Sequence, residues 1–209
     1  MSYSLIDGPA RRQEAPYTFF LPNPGYIDAL EVGDHAKVGF EYDPPGEKYG
    51  GERMWVLIEE IDGDRYRGTL DNEPDEAILT YGEKVEFERK HILDVEYAEG
   101  KADPMVPPTR TYWGRCLVDE CVLYDDIPVE FIYREEPDEL EGDGAPDTGW
   151  RVRGRQGSAN DEEMDEREVS FVALGAVLNE DDSWLDLIDA PVGSAFMRNF
   201  DTNRYEPVV

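Results

Sequence analysis

The sequence predicts an α+β protein, with a small SH3-like or strongly bent antiparallel β domain followed by an α+β domain. Three observations carry this. Between about residues 29 and 98 the hydrophobic period is two, interrupted by tight-turn signals. A Pro-rich stretch without apolar periodicity, 99–112, reads as a linker. Beyond it, short strand-like runs alternate with segments able to form helix. The expected organisation is an irregular arm (1–28), the β domain (29–98), the linker, and an α+β domain (113–209).

The arm carries Pro9, Pro16, Pro22 and Pro24 with little periodicity, and Phe19 and Phe20 are expected to pin it to the body. Ala36, Val38, Phe40 and Tyr42 then alternate with Lys37, Gly39 and Glu41, a half-buried strand ended by Asp43-Pro44-Pro45-Gly46. Met54–Ile58 is an apolar run fit for a central strand. Asp62-Gly63 signals a hairpin into Tyr66, Gly68 and Leu70, and Gly82-Glu83 precedes a strand with Val85 and Phe87. In the second half, Cys116–Tyr124, Ile127–Tyr133 and Trp150–Arg153 read as strands around a Gly/Pro/Asp loop, 138–148. Asp161–Glu168 reads as a solvated acidic turn or short helix. Val169–Leu178 is either a central strand or a buried helix, which periodicity does not separate. Asp182-Ser183 is expected to cap a helix bearing Trp184, Leu185, Leu187 and Ile188, ended by Pro191, with Phe196–Phe200 as a final strand.

Charge sets the outer limits on function. The 209 residues include 49 Asp+Glu against 20 Lys+Arg, a net of −29, while 40% hydrophobic and 11% aromatic content argue for a folded chain. The excess is spread along the chain, −13 up to Gly100 and −16 beyond it. Nucleic acid and anionic membrane surfaces both demand a basic face and are excluded as partners. No apolar run approaches the roughly 18–20 residues of a membrane span. The segment 1–16 has Arg11 and Arg12 but no apolar region after them, so a cytoplasmic location is expected. Cys116 and Cys121, five apart on an extended segment, would point to opposite faces and stay unpaired thiols.

No reaction is legible. With so many carboxylates, pairs such as Glu59-Glu60 or Asp161-Glu162 carry no weight as acid/base dyads. A calcium loop needs Gly at its sixth and Glu at its twelfth position. The window from Glu139 has Glu141, Asp143 and Gly144 but ends on Trp150, and the window from Asn179 puts Trp184 at the glycine position. His35, His91 and the two cysteines lack the short-spaced pairs of a zinc site. His91 is expected at a strand end and His35 exposed beside a turn. Ser158 and Ser194 lie in no nucleophile motif, and Gly154-Arg155-Gln156-Gly157 cradles no phosphate. No cofactor, metal or catalytic residue is expected.

Two resemblances add to this. Residues 33–97 resemble the uncharacterised YegJ-like family, domain of unknown function 2314, through Glu52, Met54-Trp55-Val56, Gly68-x-Leu70-x-Asn72-x-Pro74, Gly82, Val85, Ile92 and Asp94. Residues 113–207 resemble the immunity protein 33 family of bacterial polymorphic toxin systems, domain of unknown function 2185. The motifs are Tyr133-Arg134-Glu135, Asp147-Thr148-Gly149-Trp150-Arg151 and Asp189 through Phe196, with Gly154-Arg155-Gln156 replacing the Gly-x-Glu usual after the tryptophan. The second resemblance implies a non-enzymatic protein that binds and neutralises a toxin. A basic protein partner fits the charge, since complementary fields speed capture. Candidate contact residues are Tyr124 with Asp125 and Asp126, the cluster Arg134, Asp147 and Trp150, and the acids Asp161, Glu162, Glu163 and Asp165. Trp150 reads most simply as a core anchor, with Arg134 and Asp147 as a pair holding strand ends. Competing readings are a salt-adapted acidic adaptor or housekeeping protein, and an enzyme of unrecognised type using a carboxylate cluster.

Overall fold

The computed structural model describes residues 2–138 and 144–208. The chain divides into two compact units, Met1–Arg110 and Thr111–Val209, each built on its own six-stranded sheet. Among the described residues no helix exceeds seven residues, so the α+β class holds only as β sheets with short helices.

The first unit contains β1 (Ser2–Leu5), α1 (Gly8–Glu14), α2 (Pro24–Asp28), β2 (His35–Asp43), β3 (Gly51–Asp62), β4 (Arg65–Leu70), β5 (Lys84–Glu88) and β6 (Ile92–Glu96). β2 to β5 form an antiparallel meander, and β6 returns to β2, so the sheet curls into a half-barrel. Period-two patterning decides which face is inside. Ala36, Val38, Phe40 and Tyr42 are at most 5% exposed and meet Met54, Val56, Ile58, Tyr66, Leu70, Val85 and Phe87. Each of the buried Val, Leu, Ile, Phe and Met side chains contributes about 1.5–3 kcal/mol. One edge of β2 serves two strands: β6 pairs with His35–Val38 and β1 with Phe40–Asp43. Gly39 lies at that seam, where a Cβ would fall 2.5 Å from Ile6 Cδ1.

The segment 2–28 is not irregular throughout, since it holds β1, α1 and α2. Its prolines start helices rather than prevent them, because the first helical turn needs no N–H from proline. Pro9 lies in the first turn of α1, capped by Asp7, and Pro24 opens α2, capped by Asn23. Part of the Pro-rich segment is held to this unit. Lys101 Nζ donates to Asp34 Oδ2 at 2.5 Å and to Ala29 O at 2.6 Å. Asp34 is 1% exposed and also accepts the N–H groups of Glu31 and Ala98. Burial alone would raise its carboxyl, but Lys101 and these backbone donors hold it below the usual range. Replacing Lys101 with Met removes a charged donor from a buried carboxylate. We expect a loss of about 1–3 kcal/mol, read as a lower denaturant midpoint; an unchanged midpoint refutes it.

The second unit contains β7 (Arg115–Asp119), α3 (Glu120–Tyr124), β8 (Val129–Arg134), β9 (Asp147–Gly154), α4 (Asp161–Asp165), β10 (Val169–Ala173), α5 (Leu174–Glu180), β11 (Ala195–Asn199) and β12 (Arg204–Pro207). The sheet runs β10-β7-β9-β8-β11-β12, with β7 and β9 parallel and the other neighbours antiparallel. Cys116, Val118, Ile132, Trp150 and Val152 are at most 1% exposed and form the inner face, joined by Val122 of α3 and Val177 and Leu178 of α5.

Several expected elements change here. The strand expected over Cys116–Tyr124 stops at Asp119. There the Glu120 N–H turns to Glu168 O, and the next five residues wind into α3 to bury Val122. Cys121 therefore lies on a helix, and both thiols are free. Burial pushes the Cys116 thiol up to about 12 and raises Cys121 as well, so neither is a ready nucleophile. Val169–Leu178 is both alternatives in series, a strand at the sheet edge and then a buried helix. The helix expected after Asp182 shrinks to a 3-10 turn, Leu185–Leu187, because Asp181 rather than Ser183 supplies the side-chain acceptor and Pro191 leaves too little chain to propagate. β11 is not the final strand, since β12 pairs with it. The 138–148 loop falls partly outside the described residues.

Candidate partner-binding surface

The three motifs that carry the second resemblance meet in space at Arg134, near the end of β8. Its Nε donates to Thr148 O at 3.0 Å and its Nη1 to Ala190 O at 2.7 Å. Its backbone N–H donates to Ser194 O, its carbonyl accepts from Gly193 N–H, and the Glu135 N–H donates to Gly149 O. Gly149 has φ of 79°, and a Cβ there would lie 2.0 Å from Glu135 O, so the Asp-Thr-Gly-Trp run requires glycine at this crossing. The aromatic of that run points inward. Trp150 is 0% exposed, donates Nε1–H to Ile188 O at 3.1 Å and meets Trp184 edge-on, so it anchors the core.

The expected Arg134–Asp147 pair does not form. Asp147 instead takes Arg151, four residues on, at 2.9 Å, because the irregularity of β9 at Gly149, with φ of 79°, shortens the strand between the two residues. Asp147 accepts from the Asp138 and Gly149 N–H groups too. Burial would raise Asp147, yet Arg151 and these donors keep it below the usual carboxylate range. Arg151 also reaches Glu135 at 2.5 Å and Asp138 at 3.2 Å. Every oxygen of Asp147 is thus engaged, which leaves it no lone-pair site for base work. A second buried carboxylate, Asp119, contacts Arg153 and Arg167 and accepts from Gly154 N–H. Among the described residues no group of three or more His, Cys, Asp or Glu is placed to hold a metal ion. His35 is not exposed beside its turn but half-buried, 3.0 Å from Asp71, because it already belongs to the β2 ladder. His91, whose Nδ1 accepts from Glu88 N–H, is shifted down by burial.

The other candidates stay outside. Tyr124 is 71% exposed at the end of α3, followed by exposed Asp125 and Asp126, the latter with φ of 54°. Glu162, Glu163 and Asp165 are exposed on α4, which begins at Asp161 and is closed by an Asn160–Glu163 capping box. Beyond Lys101 the chain has no lysine. Arg134, Arg151, Arg153, Arg167 and Arg198 all bond the unit's own carbonyls or carboxylates, leaving a predominantly acidic exterior.

Sequence reading missed the outward face of the sheet. Register places Leu117, Phe131, Tyr133, Phe171 and Met197 on the side opposite the Trp150 core, interleaved with the paired charges of Asp119, Arg151 and Arg153. They are only partly covered, with Met197 42% exposed and the Phe131 and Tyr133 rings stacked at 5.4 Å. The available signal was the unbroken Phe131-Ile132-Tyr133 run, which makes β8 apolar on both faces.

No curated protein and no solved structure matches the chain. No comparison supports the likeness of residues 33–97 to the YegJ-like family. Residues 116–208, from the first buried residue of β7 through β12, match the family model of the immunity protein Imm33 domain.

Proposed function

We propose that this chain is a non-enzymatic, acidic immunity-type protein that acts in the cytoplasm and neutralises a basic toxin by binding it directly. The observation that carries the reading is the family match over residues 116–208. Two features support it. The matching motifs are consumed in building the sheet around Arg134 and Arg151, which suits a rigid binding scaffold more than a reaction centre. The exterior is acidic and lysine-free in this half, which favours rapid capture of a cationic partner. Tyr124, Asp125, Asp126, and Asp161, Glu162, Glu163 and Asp165 of α4 belong to the charged contact surface, with Arg134, Asp147 and Trp150 holding the frame behind it.

The test is protection. Cells expressing a basic toxin domain that the chain binds should grow when the chain is co-expressed, and the two proteins should form a saturable complex. Growth arrest despite a folded, abundant chain refutes the reading. Replacing Glu162, Glu163 and Asp165 with alanine should slow association roughly severalfold at low ionic strength and much less at high salt. Association that is unchanged at every ionic strength removes α4 from the surface.

A further inference from the structure

The second unit's sheet has two open edges, and they are protected very differently. β12, Arg204–Pro207, presents arginine, glutamate and proline, the usual defences against unwanted pairing. β10 presents Val169-Ser170-Phe171-Val172-Ala173, with neither charge nor proline. Its ladder to β7 is bracketed by Glu120 N–H to Glu168 O and by Leu174 N–H to Gly114 O. Antiparallel bonding alternates, so Ser170 and Val172 turn their backbone groups to β7 while Val169 and Phe171 turn theirs away. Among the described residues these outward N–H and C=O groups have no backbone partner. The same two residues put their side chains on the outward face, Phe171 opposite Leu117 and Val169 opposite Asp119, and Val169 is 52% exposed.

We infer that β10 is a docking edge that accepts an extended, basic segment of the partner protein as a seventh strand. The inference rests on the immunity-type reading for the partner's identity, but the edge itself is a property of the sheet. Free backbone groups supply register and affinity, and the half-open face supplies contact for every second side chain of the incoming strand. Charge decides the occupant. A second copy of this chain would bring a net −29 against −29, whereas a cationic strand meets exposed Glu166 and Glu168 at the start of β10.

The probe is a fluorescent nine-residue peptide of alternating valine and lysine, compared with the same peptide N-methylated at every residue, so that neither edge can pair. Charge and side chains are identical in the two, so only backbone pairing distinguishes them. With the full-length chain, the plain peptide should bind at least tenfold more tightly and slow amide exchange at Val169 and Phe171 at least tenfold. Equal binding of both peptides, or no slowing at these two amides under saturation, overturns the docking edge. Slow exchange at both amides without peptide, in a dimeric sample, overturns it in favour of self-pairing. Phe171→Pro, which deletes one outward N–H and no ladder bond, then enters the growth-protection assay after its fold is verified by circular dichroism. Wild-type protection lost in Phe171→Pro supports the edge. Protection by both refutes the edge while sparing the immunity reading. Failure of the wild type refutes that reading, and the peptide comparison alone then decides the edge.

Discussion

Truncating Trp150 to alanine is expected to cost about 3–5 kcal/mol, a large part of a small domain's stability. The indole is 0% exposed, so its removal opens a cavity between β9 and the 185–187 turn. It also strands the Ile188 carbonyl that accepts its Nε1–H, and it takes away the ring that Trp184 meets at 5.6 Å and over which the Arg134 guanidinium lies at 5.7 Å. The measurement is chemical denaturation followed by tryptophan fluorescence and far-ultraviolet circular dichroism. Trp150→Phe keeps most of the volume and loses the hydrogen bond, so it should fall between the two. A Trp150→Ala variant within about 1 kcal/mol of wild type would show that this side chain does not organise the second unit. With the expected loss of about 3–5 kcal/mol, failure of Trp150→Ala to bind the partner reports unfolding and not a contact.

Replacing Arg151 with methionine is expected to cost a similar 3–5 kcal/mol, by a different mechanism. Methionine keeps the aliphatic bulk but leaves Asp147, whose side chain is 0% exposed, without its cation, and frees Glu135 and Asp138 to repel it. The companion double variant with Asp147→Asn should recover much of the loss, because the unpaired buried charge rather than the missing pair is what destabilises. The pH dependence has a definite sign. In the wild type the Asp147 carboxyl is held below its ordinary value of 3.8, so its stabilisation is complete above that pH and disappears as pH falls through the folded value. In Arg151→Met, burial is no longer opposed and the folded carboxyl rises, which penalises the charged form at neutral pH. The stability gap between the two proteins should therefore narrow from pH 7 toward pH 3. A gap that is constant across this range would mean that the ion pair is not the cause.

The legible parts of the fold are those where a local pattern and the tertiary answer coincide. Ala36, Val38, Phe40 and Tyr42 alternate because one face of β2 is buried along its whole length, and Asp62-Gly63 turns with glycine at φ of 59°. The arm was misread because Pro9 and Pro24 act as breakers or as starters according to the capping residue before them, Asp7 or Asn23. Of the candidate residues, the sequence indicated exposure but not pairing. Exposed acids follow from composition, so Glu162, Glu163 and Asp165 stood out, whereas the motif residues Arg134 and Asp147 were read as a pair when each serves a different neighbour.

What the sequence determined by itself is the sign of the outer field, the two-part organisation it suggests, and the strands whose period is two. What only the tertiary structure decided is the pairing of charges and the identity of the open edge. Arg151 and not Arg134 neutralises Asp147 because β9 geometry sets two side chains within 2.9 Å, which no spacing rule for a strand of unknown register specifies. β10 is an edge because β7 has β9 on its other side, a fact of strand order across residues far apart in the chain. An apolar run such as Val169–Leu178 records only that burial is wanted, and the backbone groups left unpaired by the sheet are invisible until its strands are placed.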